Sequence, residues 1–312
     1  MMGMEEKSRM AARVVTEVRK AVIGKDDVVI KTLMVVLARG HVLLEDIPGV
    51  GKTTMALAFS RALGLQYNRV QFTPDVLPSD LTGFSVYNRD TRQLEYQKGA
   101  LFCNLLLADE LNRATSRTQS ALLEAMEEGQ VTVDGKTYAI PSPFLVIATQ
   151  NPVGAAGTQL LPDSQLDRFM MCLTMGYPKP EEEIELLRRK SQGSLLAQVE
   201  RVLDHQQLEL LRQTVDKVYL SDEVMEYIVR LVTVTRCHPR ILQGGSPRAT
   251  LAVASASRAA AFLWGRDYVL PEDIRRIWCD TVAHRLLLAS GERDARRMAQ
   301  EVLDSVQAPK IR

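Results

Sequence analysis

Short apolar runs at residues 41–45, 66–72, 105–109 and 144–149 punctuate the first part of the chain, and their length predicts β-strands. Helical stretches such as 53–63 and 117–128 separate them. Strands alternating with helices in this way build a parallel sheet covered on both faces. The texture changes at Tyr177-Pro178-Lys179-Pro180. Beyond it Val224, Tyr227, Ile228, Leu231 and Val232 recur on one helical face, and the alanine-rich stretch 249–263 predicts a helix packed closely on its neighbours. Pro-Glu-Asp at 271–273 marks another helix start, with acids in its first turn. The expected fold class is α/β, with a parallel-sheet domain over residues 1–180 followed by an all-α domain over 181–312.

Two hairpins interrupt the α/β part, at about residues 84–97 and 130–140. The first closes through a polar Asn-Arg-Asp-Thr-Arg turn, the second through Asp134-Gly135, a dipeptide that favours a type I′ turn. Either they are surface ornaments or they do work; the pattern alone leaves both readings open.

Lysine and arginine number 39 against 38 aspartate and glutamate, a formal charge of +1. That balance argues against a protein whose main task is gripping nucleic acid through a wide basic face. An apolar content of 46% over 312 residues supports a core without disulfide or metal staples. Cys103, Cys172, Cys237 and Cys279 lie far apart, with no CxxC pair and no histidine at ligand spacing, so reduced thiols and no cysteine-held metal are expected. The N-terminal MMGMEEKSRM carries acids where a signal peptide needs an apolar stretch. No later run approaches the ~20 apolar residues of a membrane span. The expectation is a cytoplasmic protein.

The chemistry concentrates where predicted strands end. After the strand at 41–45 come Asp46, Ile47, Pro48, Gly49, Val50, Gly51, Lys52, Thr53 and Thr54, and then a helical stretch. Strand, glycine-bearing loop and helix in that order present backbone N–H groups and a helix N-terminus to an anion. Lys52 can reach the β- and γ-phosphates of a nucleotide, and the Thr53 hydroxyl can ligate Mg²⁺. The strict pattern wants glycine where Asp46 stands; aspartate tolerates left-handed backbone better than most residues, so the turn is expected to survive. A Gly-Lys-Thr string can also simply open a helix. The apolar strand at 105–109 delivers Asp109 and Glu110 at its C-terminal edge, where open α/β sheets put their ligands. Asp109 would hold the Mg²⁺ shell and Glu110 would orient or deprotonate an attacking water, which points to ATP hydrolysis. Asn151, at the end of the next candidate strand, would align that water or sense the phosphate; a plain turn asparagine is the competing reading.

The set resembles the AAA+ ATPases, and more closely the MoxR family within them. The matching strings are HVLLEDIPGVGKTT at 41–54, QFTPD at 71–75, LPSDLTG at 77–83, ADELNRA at 108–114, ATQNP at 148–152, QLDRF at 165–169 and GSPRA at 245–249. Similarity runs from about Val22 to the His284-Arg285 region. The resemblance implies a P-loop AAA+ domain with a helical lid, ATP and Mg²⁺ as ligands, and Asp46 as a variant the family accepts. It gives Lys52, Thr53, Asp109 and Glu110 the Walker A and B roles and Asn151 that of sensor 1. Arg168 resembles the arginine finger, Arg248 resembles sensor 2, and Val22-Ile23-Gly24 resembles the segment that packs on adenine. The two hairpins resemble inserts that relatives project toward the pore of a ring. The implied function is an oligomeric, most often hexameric, ATPase that remodels or matures protein complexes with a VWA-domain partner. The alternative is a nucleic-acid-acting or chelatase-type ring motor on the same core; a nucleotide-gated scaffold without hydrolysis conflicts with the Glu110, Asn151 and Arg168 set.

Overall fold

A computed structural model describes residues 3–151, 161–191, 193–292 and 294–310. Pro152, which closes the ATQNP string, lies outside the described residues. Helices α1 (Met4–Ala21) and α2 (Asp26–Leu37) precede β1 (Val42–Glu45), α3 (Lys52–Ala62) and β2 (Tyr67–Gln71). A short α4 (Pro78–Thr82) leads into the hairpin β3 (Gly83–Asn88) and β4 (Gln93–Lys98). Then follow β5 (Leu105–Asp109), α5 (Ser116–Glu128), the hairpin β6 (Gln130–Val133) and β7 (Lys136–Ala139), β8 (Leu145–Gln150), α6 (Asp163–Leu166) and β9 (Met171–Leu173). The remainder is mostly helical: α7 (Pro180–Ser191), α8 (His205–Asp216), α9 (Asp222–Cys237), α10 (Pro247–Leu263), α11 (Pro271–Val282) and α12 (Ala295–Ser305), with two short paired strands, β10 (Ile241–Gln243) and β11 (Leu287–Leu288).

The sheet runs β2-β5-β8-β1-β9, and every pairing in it is parallel. The central strands β5, β8 and β1 are largely apolar on both faces because both are covered, whereas the edge strand β2 carries the polar Asn68, Arg69 and Gln71. Val42, Leu44, Leu105, Leu107, Leu145 and Ile147 face one core, shared with α1, α2, α3 and the later helices. Leu43, Leu106, Ala108, Val146 and Ala148 alternate into a second core beneath α5 and the hairpins. The expected elements are present with ends moved by a residue or two, as fraying ends allow. The face shared by Val224, Tyr227, Ile228, Leu231 and Val232 is buried, and α10 is buried along its alanine stripe. Asp134 and Gly135 both take positive φ, 50° and 74°, the type I′ geometry their dipeptide predicts. The hairpins touch one another: Tyr96 of β4 stacks on Tyr138 of β7 with ring centroids 3.9 Å apart.

The start of the sheet is pinned by a histidine to which sequence reasoning gave no role of its own. His41 is buried; its Nδ1 accepts from the Val146 N–H at 3.0 Å, so its Nε2–H donates to the Met126 carbonyl at 3.1 Å. Burial drives its pKa from 6.5 down to about 4, and the neutral ring joins β1, β8 and the end of α5. His284 is half-buried, and desolvation together with the Arg285 charge beside it pushes it down to about 3. Both must gain a proton on acid unfolding. The stability they contribute is therefore complete above pH 6.5 and is lost as pH falls toward 4 and below, by up to about 3 kcal/mol for His41. We expect the thermal midpoint to drop across pH 6.5 to 4, and His41→Asn to flatten that dependence by about one proton; equal slopes would refute the assignment.

Candidate active site

The loop at 46–51 carries β1 into α3. Gly49 and Gly51 adopt φ of 86° and 99°, the left-handed region that glycine enters freely. Among the described residues no side chain caps α3, so its first N–H groups stay available to an anion. A Cβ on Gly49 would meet nothing within 4 Å, which leaves the backbone open on the cleft side. Lys52 donates from Nζ to the Asp46 carbonyl at 2.9 Å. Partial burial lowers its ammonium pKa below the usual lysine range, against the opposing pull of the Asp46, Asp109 and Glu110 carboxylates.

Asp46 corrects one expectation. It is absent from the residues with positive φ, so the chain does not use it as a left-handed glycine substitute. Its carboxylate is instead buried and accepts from three backbone N–H groups: Oδ1 from Ile47 at 3.0 Å, and Oδ2 from Met175 at 2.5 Å and Gly176 at 2.8 Å. A glycine could supply the turn but not this tie.

Asp109 and Glu110 leave the end of β5 in different directions because Glu110 turns left-handed, at φ 56° and ψ 45°. Thr149 of β8 organises both. Its hydroxyl donates to Asp109 Oδ1 at 2.7 Å and accepts from the Glu110 N–H at 2.9 Å. The second Asp109 oxygen takes a bond from Arg69 of β2 at 2.7 Å, and Glu110 is paired with Arg113 at 2.8 Å. Arg69 and Arg113 are nearly half exposed, so each pair is worth no more than about 1 kcal/mol and yields readily to a stronger ligand.

Asp46, Pro48, Gly49, Gly51, Lys52, Thr53, Thr54, Asp109, Glu110 and Asn151 line one cleft of about 410 Å³. Arg69, Gln71 and Thr149 complete it, and sequence reasoning did not single them out. The register Gln71 to Asp109 on adjacent strands would have put β2 side chains beside the acid, had the sheet order been known. Val22 is buried in the first core, and Val50 packs against that core; neither lines the cleft, nor does Ile23. An uncapped helix start, open glycines, one lysine and acids at the rim fit a nucleoside triphosphate with Mg²⁺.

Arg168 and Arg248 are brought together elsewhere. They line a second cleft of about 260 Å³ and share Glu127 of α5: Arg168 lies 2.8 Å from Oε2, and Arg248 pairs with Oε1. Arg168 also donates to the Leu123 carbonyl at 2.8 Å. Arg285 sits at the same cleft, where burial pushes its guanidinium down to about 10, still charged at neutral pH. Among the described residues no group of three or more His, Cys, Asp or Glu could hold a metal, and no helix is long and apolar enough to cross a membrane.

A nucleotide-binding sheet followed by a helical lid defines the AAA class. Residues 41–171 match the ATPase family associated with various cellular activities (AAA), and residues 233–306 match the AAA lid domain. YeaC of Bacillus subtilis is 43% identical, across 98% of this chain and 97% of its own length. Chaperone MoxR1 of Mycobacterium tuberculosis is 37% identical across 99% of this chain and 85% of its own. Protein MoxR of Methylorubrum extorquens is 32% identical across 89% of this chain and 88% of its own. A crystal structure of a Cytophaga hutchinsonii chain, assigned as an ATPase, superposes with a TM-score of 0.91 at 38% identity, covering 97% of this chain and 96% of that one. The chain belongs to the MoxR family of AAA+ ATPases.

Thr149→Val keeps the volume and removes the hydroxyl that holds Asp109 and the Glu110 N–H. We expect ATP turnover to fall roughly 10- to 100-fold, as for lost partners behind a ligand, while ATP affinity stays within a few-fold. Turnover and binding measured side by side check this; an unchanged rate would remove Thr149 from the site.

Proposed function

We propose that this ATPase works in the cytoplasm as a closed homo-oligomeric ring, of six subunits by family resemblance, and couples ATP hydrolysis to remodelling or maturation of protein complexes, with a VWA-domain protein as partner. Residues 1–180 serve as the nucleotide-binding unit and 181–312 as the lid. The loop N–H groups and Lys52 bind the phosphates, Val22 and Ile23 pack near the base, and Thr53 and Asp109 hold Mg²⁺. Bound there, Mg²⁺ neutralises phosphate charge. Glu110 accepts the proton of the water that attacks the γ-phosphorus as the β–γ bridge breaks, and Asn151 aligns that water.

The observation that carries the ring reading is the separation of the two clefts. Arg168 and Arg248 line one, and the phosphate loop and acids line the other. A guanidinium that stabilises phosphoryl-transfer charge must touch the phosphate, so Arg168 is assigned to a neighbouring subunit's site. Head-to-tail association of this kind forms a ring where its rotation closes, which the family resemblance favours. Protein clients are favoured by the first hairpin, where Phe84, Val86, Tyr87 and Leu94 are 43–66% exposed. The name of the relative Chaperone MoxR1 points the same way.

Lys52→Ala is expected to lose ATP binding, whereas Glu110→Gln binds ATP and loses turnover by about 10²–10⁴-fold. Calorimetric binding and phosphate release separate the two, and near-parent turnover in Glu110→Gln would overturn its role.

Mixing Arg168→Ala with Glu110→Gln subunits tests the ring itself. About a quarter of the interfaces then join an intact acid to an intact finger, and turnover returns from two inactive proteins. Confirmed co-assembly without turnover would overturn the composite site. Stimulation by single-stranded DNA, and none by a VWA-domain partner, would move the reading to a nucleic-acid motor.

A further inference from the structure

The lid grips the short segment that carries Arg168 from two sides. Arg285, buried after α11, donates from Nη2 to the Phe169 carbonyl at 2.6 Å and to the Asp167 carbonyl at 3.2 Å. Its Nη1 lies 3.5 Å from Asp167 Oδ1. His284 adds a bond from Nε2 to the Phe169 carbonyl at 3.1 Å. The other oxygen of Asp167 accepts from the Ser246 hydroxyl at 2.9 Å, and that same hydroxyl caps α10 by accepting from the Arg248 N–H at 3.1 Å. The carbonyls on both sides of Arg168 are thus fixed by one lid guanidinium, and the preceding side chain is fixed by the residue that starts the helix of Arg248.

A buried guanidinium is a costly way to pack two helices, since an apolar side chain of similar volume often does as well. What it supplies that an apolar side chain cannot is direction: charge-assisted bonds to named carbonyl oxygens set where a backbone segment sits. Phe169 is buried, so the segment cannot shift without moving either the core or the lid.

We infer that Arg285 is a positioning residue: through Asp167 and the Phe169 carbonyl it makes the lid of one subunit set the reach of its Arg168 toward the nucleotide of the next. The inference rests on the composite-site reading above and adds its regulation. A displacement of the lid is thereby passed to the finger that its subunit offers to the neighbour.

The test uses the pair that regains turnover, Arg168→Ala as the subunit hosting the active site and Glu110→Gln as the subunit donating the finger. Adding Arg285→Gln to the donor is expected to lower the recovered turnover roughly 10- to 100-fold, the cost of misplacing a group by about 1 Å. Adding it to the host, whose own finger is already gone, leaves turnover within about twofold. A merely structural role would lower both arms, and that result overturns the inference, as does a loss confined to the host or no loss in either. If Arg285→Gln does not fold or co-assemble, Asp167→Asn carries the same two-arm comparison, because it weakens the same tie while keeping the side chain's shape. A parental pair that co-assembles without turnover overturns the composite site and the coupling with it; a parental pair that works beside an unaffected donor arm overturns the coupling alone.

Discussion

The site depends on a buried carboxylate at the end of β1. Asp46 spans from the phosphate loop to the chain leaving β9 at the sheet edge, accepting from Ile47, Met175 and Gly176. An unpaired buried charge would cost several kcal/mol, and charge-assisted bonds to three N–H groups, with Lys52 nearby, offset that cost. The first residue of the loop is thereby held by β1 and by the segment leading toward the lid, and Lys52 at the far end of the loop donates back to its carbonyl. The direction of α3, and so the direction in which its uncapped N–H groups point, follows from that restraint.

The second organising group is Thr149, a neutral residue between two acids. Parallel strands place the ends of β5 and β8 side by side, and the threonine hydroxyl uses both its donor and its acceptor there. Asp109 is held through its side chain and Glu110 through its backbone. The left-handed turn at Glu110 is a strained conformation for a non-glycine residue, and the bond to Thr149 helps to hold it. The turn at this position sets the direction of the Glu110 carboxylate relative to that of Asp109; on an extended strand the two would point to opposite faces of the sheet.

Much of this architecture was legible in the residues. The apolar runs marked the strands because a doubly covered sheet tolerates few polar side chains, and the phosphate loop was legible because its chemistry is local to a few consecutive residues. What stayed hidden was non-local. Thr149 meets Asp109 across 40 residues, Arg69 meets it from the other side, and Arg285 reaches Asp167 across 118. None of these pairs has a spacing that a helix or strand period would reveal. Asp46 was legible as a departure from the glycine pattern, but its reason was not: the partners that make a carboxylate useful there lie about 130 residues downstream. Arg168 and Arg248 were found by resemblance, while the acid that joins them, Glu127, sits on α5 in a string that carries no motif.

Glu127 also bears on how the two clefts can work together. It is one carboxylate between two arginines, so the second cleft keeps an excess of positive charge and neither guanidinium is left without a partner in the isolated chain. Glu127 is about half exposed, and a solvent-screened pair of this kind is worth no more than about 1 kcal/mol. In the ring proposed above, a phosphate carrying more than one charge, with part of the water removed, would offer each arginine more than Glu127 does. The exchange of partners is then cheap on the arginine side. Glu127 follows Met126, whose carbonyl takes the His41 bond that joins the end of α5 to β1 and β8. The same residue that pairs the two arginines therefore lies beside the tie that joins α5 to the sheet.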